Sequence, residues 1–380
     1  MNKQFFAVVL HYLFRFVLFR FFVSFRFVSF RFVLFRIFLL CTAFIRCRTQ
    51  SKRYQKQMEK DFCFPSRRGF LKKSAVLTGS AAVLCASANL LAQARNTPGK
   101  LQSQRLSDKV LFVKGPDSNV VVIDSSEGLI MIDGGHTDWF GELQSAIAEN
   151  FPGRPYRALF NTQWHAEQTG SNLALGEQGV EIIAHENTML WLSTEVWQRW
   201  SDLTFPPLPA AALPKTVFFE DGTMQIGDCT VHYGYMRDAH TDGDIWVYIE
   251  NEDVLVTGGL VSNQRWPDID WSTGGFIGSM LDGFLSLLTV PTANTKIIPA
   301  YGDVMTLEQL RAQNQMYIAV FDRIHGSFIK SESLAELLTA KPTAEYDAAM
   351  GDPTQFLTLA FQSVKGHIRD PQNDRFLNFP

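Results

Sequence analysis

The chain has 380 residues, of which 46% are hydrophobic and 19% charged, as expected for a globular protein with a substantial core. Its net charge of −3 hides an asymmetry, because the segment before Arg95 holds 16 of the 35 Lys and Arg but only 2 of the 38 Asp and Glu. The rest of the chain is therefore strongly acidic. An acidic body argues against nucleic-acid binding, since phosphate recognition needs a basic surface.

Residues 1–57 contain a near-pentameric repeat of Phe and Arg, such as "SFRFV", with arginines at Arg15, Arg20, Arg26, Arg31 and Arg36. On a helix, a step of five residues turns each arginine by about 140°, so the charges would point to every face. A central Arg costs about 3 kcal/mol in a lipid-exposed span. We therefore interpret 1–57 as a non-structural segment with Met58 as an alternative start; a membrane anchor is the competing interpretation.

Residues 58–94 have the pattern of a twin-arginine (Tat) export signal. "SRRGFLKK" (66–73) precedes an uncharged run that ends in Ala92-Gln93-Ala94. The alternative is a buried helix after a basic loop. The pattern predicts passage through the Tat translocon, cleavage near Ala94, a periplasmic location and a mature domain over 95–380. Only Cys229 remains after cleavage, which excludes an intramolecular disulfide, and its apolar neighbours indicate a buried strand residue.

Beyond the signal, short apolar runs separated by Gly, Asp and Ser predict strands that alternate with helices. Strands are predicted at 109–133 (three strands), 157–162, 180–186, 215–222, 224–236, 244–259 and 295–302. Helices are predicted at 139–149, near 171–175, at 188–203 and over most of the chain from residue 307. This order indicates a single α/β domain built as a sandwich.

Four segments bear the chemistry: "GLIMIDGGH" (128–136), "NTQWHAEQTGSN" (161–172), "RDAHTDGDIWVYIENEDVLVTGGL" (237–260) and "IIPAYGDVMT" (297–306). In order and spacing they resemble the metallo-β-lactamase superfamily over about 111–310. The resemblance implies a four-layer αββα sandwich and a hydrolase. In that family histidines and aspartates hold two zinc ions, which activate a water molecule.

Carried over position by position, the resemblance implies seven ligand positions, held here by Gln163, His165, Glu167, Gln168, His240, Gly259 and Tyr301. Only His165 and His240 keep the family's residue type, and the bridging aspartate is replaced by Gly259. We therefore expect at most one metal ion, Zn or else Fe or Mn, on His165 and His240 with Gln163 or Glu167 as third ligand.

Without a metal, Glu167 and His165 remain candidates for general acid/base work on an ester or lactone. Tyr301 is then a candidate oxyanion donor, or else a space-filler for the lost ligand.

The surroundings of these positions supply further candidates. Gln168, Gly259, His136, His185 and Asp238 are expected at or behind the pocket, Asp238 as a residue that orients an imidazole; His185 is equally compatible with an ordinary helix-leading histidine. Trp266 and Trp271, with the Trp-rich segment 191–200, predict walls for an apolar or aromatic small molecule. The expected function is hydrolysis of an ester, lactone or thioester in the periplasm; the alternative is a non-catalytic protein that binds a small apolar ligand or a partner.

Overall fold

A computed structural model describes residues 101–369, which belong to one compact unit, Thr97–Pro380. The Phe/Arg repeat and the twin-arginine segment lie outside the described residues, so both interpretations stay predictions. Within 101–369 no helix is long and apolar enough to cross a membrane.

The larger sheet has seven strands in the order β1-β2-β3-β4-β5-β6-β9. Its strands are β1 (Gln102–Arg105), β2 (Val110–Lys114), β3 (Asn119–Ser125), β4 (Gly128–Ile132), β5 (Tyr156–Phe160), β6 (Glu181–His185) and β9 (Thr216–Phe218). The first four strands are antiparallel neighbours, whereas β4, β5, β6 and β9 run parallel. The carboxyl ends of these parallel strands therefore meet at one edge.

The smaller sheet has five strands in the order β10-β11-β12-β13-β14. They are β10 (Gly222–Ile226), β11 (Cys229–Tyr235), β12 (Ile245–Ile249), β13 (Val254–Val256) and β14 (Lys296–Ile298), and only β13 and β14 pair in parallel. Cys229 is buried, as its apolar neighbours predicted. A separate two-stranded hairpin joins β7 (Val196–Gln198) and β8 (Leu203–Phe205).

Nine α-helices complete the described part of the chain. They are α1 (Phe140–Asn150), α2 (Ala166–Thr169), α3 (Asn172–Glu177), α4 (Glu186–Leu192), α5 (Ile277–Leu287), α6 (Leu307–Ile329), α7 (Leu334–Ala340), α8 (Asp347–Met350) and α9 (Thr354–Arg369). The long α6 begins where the side chain of Thr306 accepts from Gln309 N, and the Gln309 side chain accepts from the Thr306 backbone in return.

Alternating apolar residues place the core in layers. In β3, Val121 and Ile123 face the second sheet, whereas Val120 and Val122 pack against α1 and its neighbours. On the far side, the smaller sheet packs against the helices of the C-terminal third. The layers are thus helix, sheet, sheet and helix, and the expected αββα sandwich is confirmed.

The helix predicted over 188–203 is wrong beyond Leu192. The chain turns there into the β7–β8 hairpin, in which Val196 and Gln198 are buried and Trp197 is exposed. A period of two outweighs the helical spacing of the tryptophans because Val and Trp favour a pleated, half-buried surface. This hairpin reaches the candidate site through Gln198 and Trp200.

Candidate functional site

The motif at 161–172 begins where β5 leaves the sheet, beside the turn that follows β4. Asp133, in that turn, accepts from the backbone N–H of Thr162 on Oδ1 (2.8 Å) and from the Thr162 hydroxyl on Oδ2 (2.8 Å). Burial raises the pKa of Asp133 to about 7, against the lowering effect of the two Thr162 bonds. The Asp-Gly turn therefore holds the start of the motif in place.

His165 caps the short helix α2 and contacts a carboxylate far away in sequence. Its Nε2 lies 3.0 Å from Oδ2 of Asp270, and both side chains are buried. With the ring proton on Nε2, the pair leaves Nδ1 of His165 without a hydrogen bond among the described residues. A carboxylate in this place can orient either a metal-bound imidazole or a general base.

The two members of this pair shift each other's pKa in the expected directions. Burial alone would lower the pKa of His165, but the hydrogen bond and charge of Asp270 outweigh it and leave that pKa raised. Burial alone would raise the pKa of Asp270, but the His165 interaction outweighs it and leaves that pKa lowered. The carboxylate thus stabilises the imidazolium that forms when His165 accepts a proton, and so makes the imidazole a stronger base.

Asp270 is the functional candidate that sequence reasoning missed, and the β7–β8 hairpin helps to hold it. Trp200 Nε1 donates to Asp270 Oδ1 (3.2 Å), and Gln198 Nε2 lies 3.5 Å from Oδ2. Ser272 N also donates to Oδ1 (3.1 Å). In the segment "QRWPDIDWSTGGF" (264–276) the tryptophans predict pocket walls, but the buried Asp270 between them is the residue that contacts His165.

His240 lies beside His165, and the two rings form an edge-to-face pair with centroids 4.9 Å apart. The His240 backbone N–H donates to the carboxylate of buried Asp244, and the His240 carbonyl accepts from Asp270 N (2.9 Å). Its Nδ1 is buried, lies 3.5 Å from Asp244 Oδ1 and makes no hydrogen bond within the part of the chain that the structure describes. The structure therefore brings the two histidines together.

The two glutamines of the motif bind each other. Gln163 Nε2 donates to Gln168 Oε1 (2.5 Å), while Gln163 Oε1 accepts from the backbone N–H of His165 (2.7 Å). Both side chains are fully buried. Each end of the Gln163 amide is thus engaged within the protein.

Gly259 packs against His240. A Cβ on Gly259 would lie 2.5 Å from Nδ1 of His240 and 2.9 Å from Cγ. The imidazole therefore fills the space in which a side chain at the family's bridging position would begin.

Tyr301 lies under the guanidinium of Arg265, whose Cζ is 3.7 Å from the ring centroid. Burial, with the charge of Glu167, raises the pKa of Tyr301, so its hydroxyl stays a donor. The Gln168 side chain lies near the Tyr301 hydroxyl and partly opposes the rise of its pKa. Its Nε2 makes no hydrogen bond of normal geometry among the described residues. The charge of Glu167 also acts on His165.

Other sequence candidates lie around this centre. His136 lines a cavity with Leu101 and Trp139, and its Nδ1 accepts from Asp138 N (3.3 Å). His185 caps α4 by accepting from Asn187 N, and it stacks on Tyr235 at 3.9 Å.

Asp238 was expected to orient an imidazole, but the carboxylate next to the His240 ring belongs to Asp244. Asp238 has a positive φ of 51°, and its carbonyl accepts from Phe276 N.

The two tryptophans predicted as pocket walls differ. Trp266 is a core residue: it stacks on Phe356 at 4.7 Å and donates to the Gly351 carbonyl (3.2 Å), so its assignment to the pocket is corrected. Trp271 is half-buried, directly after Asp270, with the guanidinium of Arg199 6.0 Å from its ring. Apolar residues near a site fill the core as readily as they line a pocket, which explains the error for Trp266.

The donors do not fit a metal ion as they are arranged. Zinc needs three protein ligands at least, and two imidazoles supply only two. The Gln163 amide is engaged at both ends, and Gly259 offers no donor. No three His, Cys, Asp or Glu side chains within residues 101–369 are placed to share an ion.

Comparison with known proteins identifies the family. The model of the metallo-beta-lactamase superfamily matches residues 113–305, about half of the chain. A metallo-beta-lactamase from Pontibacter korlensis is 20% identical, with 57% of this chain and 99% of that one covered and a TM-score of 0.48. The stereoselective inverting sec-alkylsulfatase Pisa1 from Pseudomonas sp. is 14% identical, with a TM-score of 0.54 over 74% of this chain.

The chain spans about half the length of the sulfatase, of which 51% is covered. No curated protein matches the chain. The sulfatase, at this identity, supports the fold alone. Since the family model matches half of the chain and includes all the motif positions that form the site, the chain belongs to the metallo-beta-lactamase superfamily.

Proposed function

We propose that this protein is a periplasmic hydrolase of a small ester, lactone or thioester, with His165 as its general base. The observation that carries the proposal is the buried His165–Asp270 pair, in which Nδ1 of His165 receives no hydrogen bond from residues 101–369. The carboxylate fixes the ring and makes it a stronger base. The sequence expectation of at most one metal ion allows for none, and the proposed reaction uses only side chains of the protein.

In the proposed reaction, a water molecule attacks the carbonyl carbon while its proton passes to Nδ1 of His165. The C–O or C–S bond to the leaving group then breaks, and the leaving group takes the proton back from Nδ1. The neutral Tyr301 hydroxyl is the proposed donor to the oxyanion, and Glu167 adds charge that favours the protonated imidazole. The half-buried Trp271 supports an apolar or aromatic substrate.

A panel of aryl and alkyl carboxylic esters, lactones and thioesters tests the proposal; a sec-alkyl sulfate is added because one fold neighbour is a sec-alkylsulfatase. His165→Ala should lower kcat/KM by about 10²- to 10⁴-fold, the usual worth of a general base. Asp270→Asn should lower kcat with the fold intact. His232→Ala is the matched control, since this half-buried histidine has its own carboxylate partner, Glu250, at 2.8 Å.

A second candidate, a non-catalytic binding protein, is favoured by the burial of the two imidazoles, which are only 6% and 4% exposed. It predicts that no substrate in the panel is turned over above background. Turnover that is unaffected by His165→Ala would also contradict the proposed role of His165. If no compound of the panel is turned over but apolar members of it bind in calorimetry, the protein is a non-catalytic binding protein.

A further inference from the structure

The family resemblance implies seven ligand positions, and several of the residues that hold them here contact one another or their neighbours where a metal would bind. We infer that the site carries no resident metal ion, because contacts within the protein have taken the place of the metal–ligand bonds. This inference concerns the metal alone and stands whether or not the site hydrolyses a substrate. Four contacts carry it.

The first contact joins the two motif positions that would serve different metals. Gln163 stands at the first-metal position and Gln168 at the second-metal position, and their amides bond directly at 2.5 Å. The oxygen of Gln163, its only donor to a cation, accepts from His165 N at 2.7 Å. With one lone pair of this oxygen taken by the buried N–H, only the second remains for a cation, in the direction that the bond to Gln168 fixes.

The second contact is that of Asp270 with His165 Nε2, at 3.0 Å. The Asp270 carboxylate therefore faces a ring nitrogen of His165 and not an open metal position. Asp270 is also bound by Trp200 and Ser272, so its oxygens already have protein donors. The carboxylate is thereby satisfied without a cation.

The third contact is the packing of His240 on Gly259. Because a Cβ at 259 would lie 2.5 Å from Nδ1 of His240, the imidazole occupies the place of the bridging side chain. An aspartate cannot be accommodated there unless His240 moves. The bridging aspartate is therefore absent from the sequence, and the His240 ring occupies the space that its side chain would need.

The fourth contact brings a fixed positive charge to the last ligand position. The guanidinium of Arg265 lies 3.7 Å from the ring centroid of Tyr301, and its nearest carboxylate, Asp268, is 3.9 Å away. A guanidinium stacked on this phenol repels a divalent cation. Neutral amides, a glycine and a stacked cation thus replace the anionic and imidazole donors that a metal pair requires.

The test measures metal directly in the full chain, produced in medium supplied with zinc, iron and manganese. Mass spectrometry of the elements should find well under one ion per chain. Neither added zinc nor a chelator should shift the Tm. A near-stoichiometric metal that is lost in the His165→Ala/His240→Ala variant would overturn the inference.

Restoring the family's donors provides the matched comparison. A variant with Gln163→His, Gln168→His, Gly259→Asp and Tyr301→His should gain zinc in calorimetry and a zinc-dependent rise in Tm. The single change Gln163→His restores three imidazoles and should gain one zinc, once circular dichroism shows that the variant is folded like the wild type. If neither variant gains zinc, these positions are not replaced ligands and the inference is wrong.

The hydrolysis assay separates this inference from the proposed function. Turnover that survives the chelator agrees with both. Turnover that the chelator abolishes and zinc restores overturns the metal-free site but leaves a hydrolase. A metal-free protein without turnover leaves the inference standing and removes only the hydrolase.

Discussion

Gly259 and His240 are in direct contact: a methyl group on Gly259 would lie 2.5 Å from Nδ1 of the His240 imidazole. Gly259 has no need of a positive φ, so space and not backbone conformation selects glycine here. The ring that fills this space is one of the two family histidines that the chain retains. The loss of the bridging residue and the present position of His240 are therefore linked.

Gly259→Ala should destabilise the protein by about 1–3 kcal/mol, as overpacking in a full core does. His240 cannot retreat freely, because its backbone is bonded on both sides to Asp244 and Asp270. Urea unfolding measures the change. Gly141→Ala is the control, since a Cβ at Gly141 meets nothing within 4 Å; equal effects at both sites would show that the contact with His240 does not matter.

Trp266→Ala should cost about 3–5 kcal/mol, as expected for the loss of a buried tryptophan. Trp266 stacks on Phe356 and is only 6% exposed, so its removal leaves a cavity between the smaller sheet and the C-terminal helices. Thermal and urea unfolding give the cost.

The control for Trp266 is Trp197→Ala, at a tryptophan that is 52% exposed. That change should cost less than about 1 kcal/mol. If the two losses were alike, Trp266 would not be the core residue that its contacts indicate.

Alternating strands and helices predicted the sandwich, because they are local signals that the fold preserves, and the family resemblance implied that His165 and His240 meet. The sequence did not reveal the contact of His165 with Asp270, since those residues are 105 positions apart and only the folded chain joins them. It also placed a helix where β7 and β8 form, because Trp197 and Trp200 have the i, i+3 spacing of a helix face, whereas the folded segment alternates, with Val196 and Gln198 buried and Trp197 exposed. Trp266 was misplaced for a related reason: composition alone does not tell a pocket wall from core.

Trp200→Phe should lower kcat by about tenfold or more, because a hydrogen bond to a charged group contributes about 1.5–3 kcal/mol. The change removes the Nε1 donor on Asp270 and keeps the apolar packing. KM should change little, since Trp200 acts through Asp270. The measurement is steady-state kinetics on the best ester of the panel.

Trp197→Phe serves as the control for Trp200, because Trp197 lies in the same hairpin but donates to Asp202 instead. Its kcat should stay near that of the wild type. Should both variants lose kcat equally, the effect would belong to the hairpin as a whole and not to the bond with Asp270.

Asp133→Asn should flatten the dependence of stability on pH. The pKa of Asp133 is raised to about 7 in the folded protein, chiefly by burial and also by the charge of Asp244, and is near 3.8 in the unfolded chain. Between these values the folded state binds more protons, so the wild type loses stability as pH rises, by at most about 1.4 kcal/mol per pH unit.

The asparagine does not titrate, and the loss of one acceptor for Thr162 shifts its curve by a constant amount. Urea unfolding of both proteins between about pH 5 and about pH 8 supplies the comparison. His165, with a raised pKa, and His185, with a lowered one, titrate in both proteins and cancel in the difference. The wild-type curve should therefore fall more steeply toward high pH than the variant's, and parallel curves would mean that Asp133 is already ionised throughout this range.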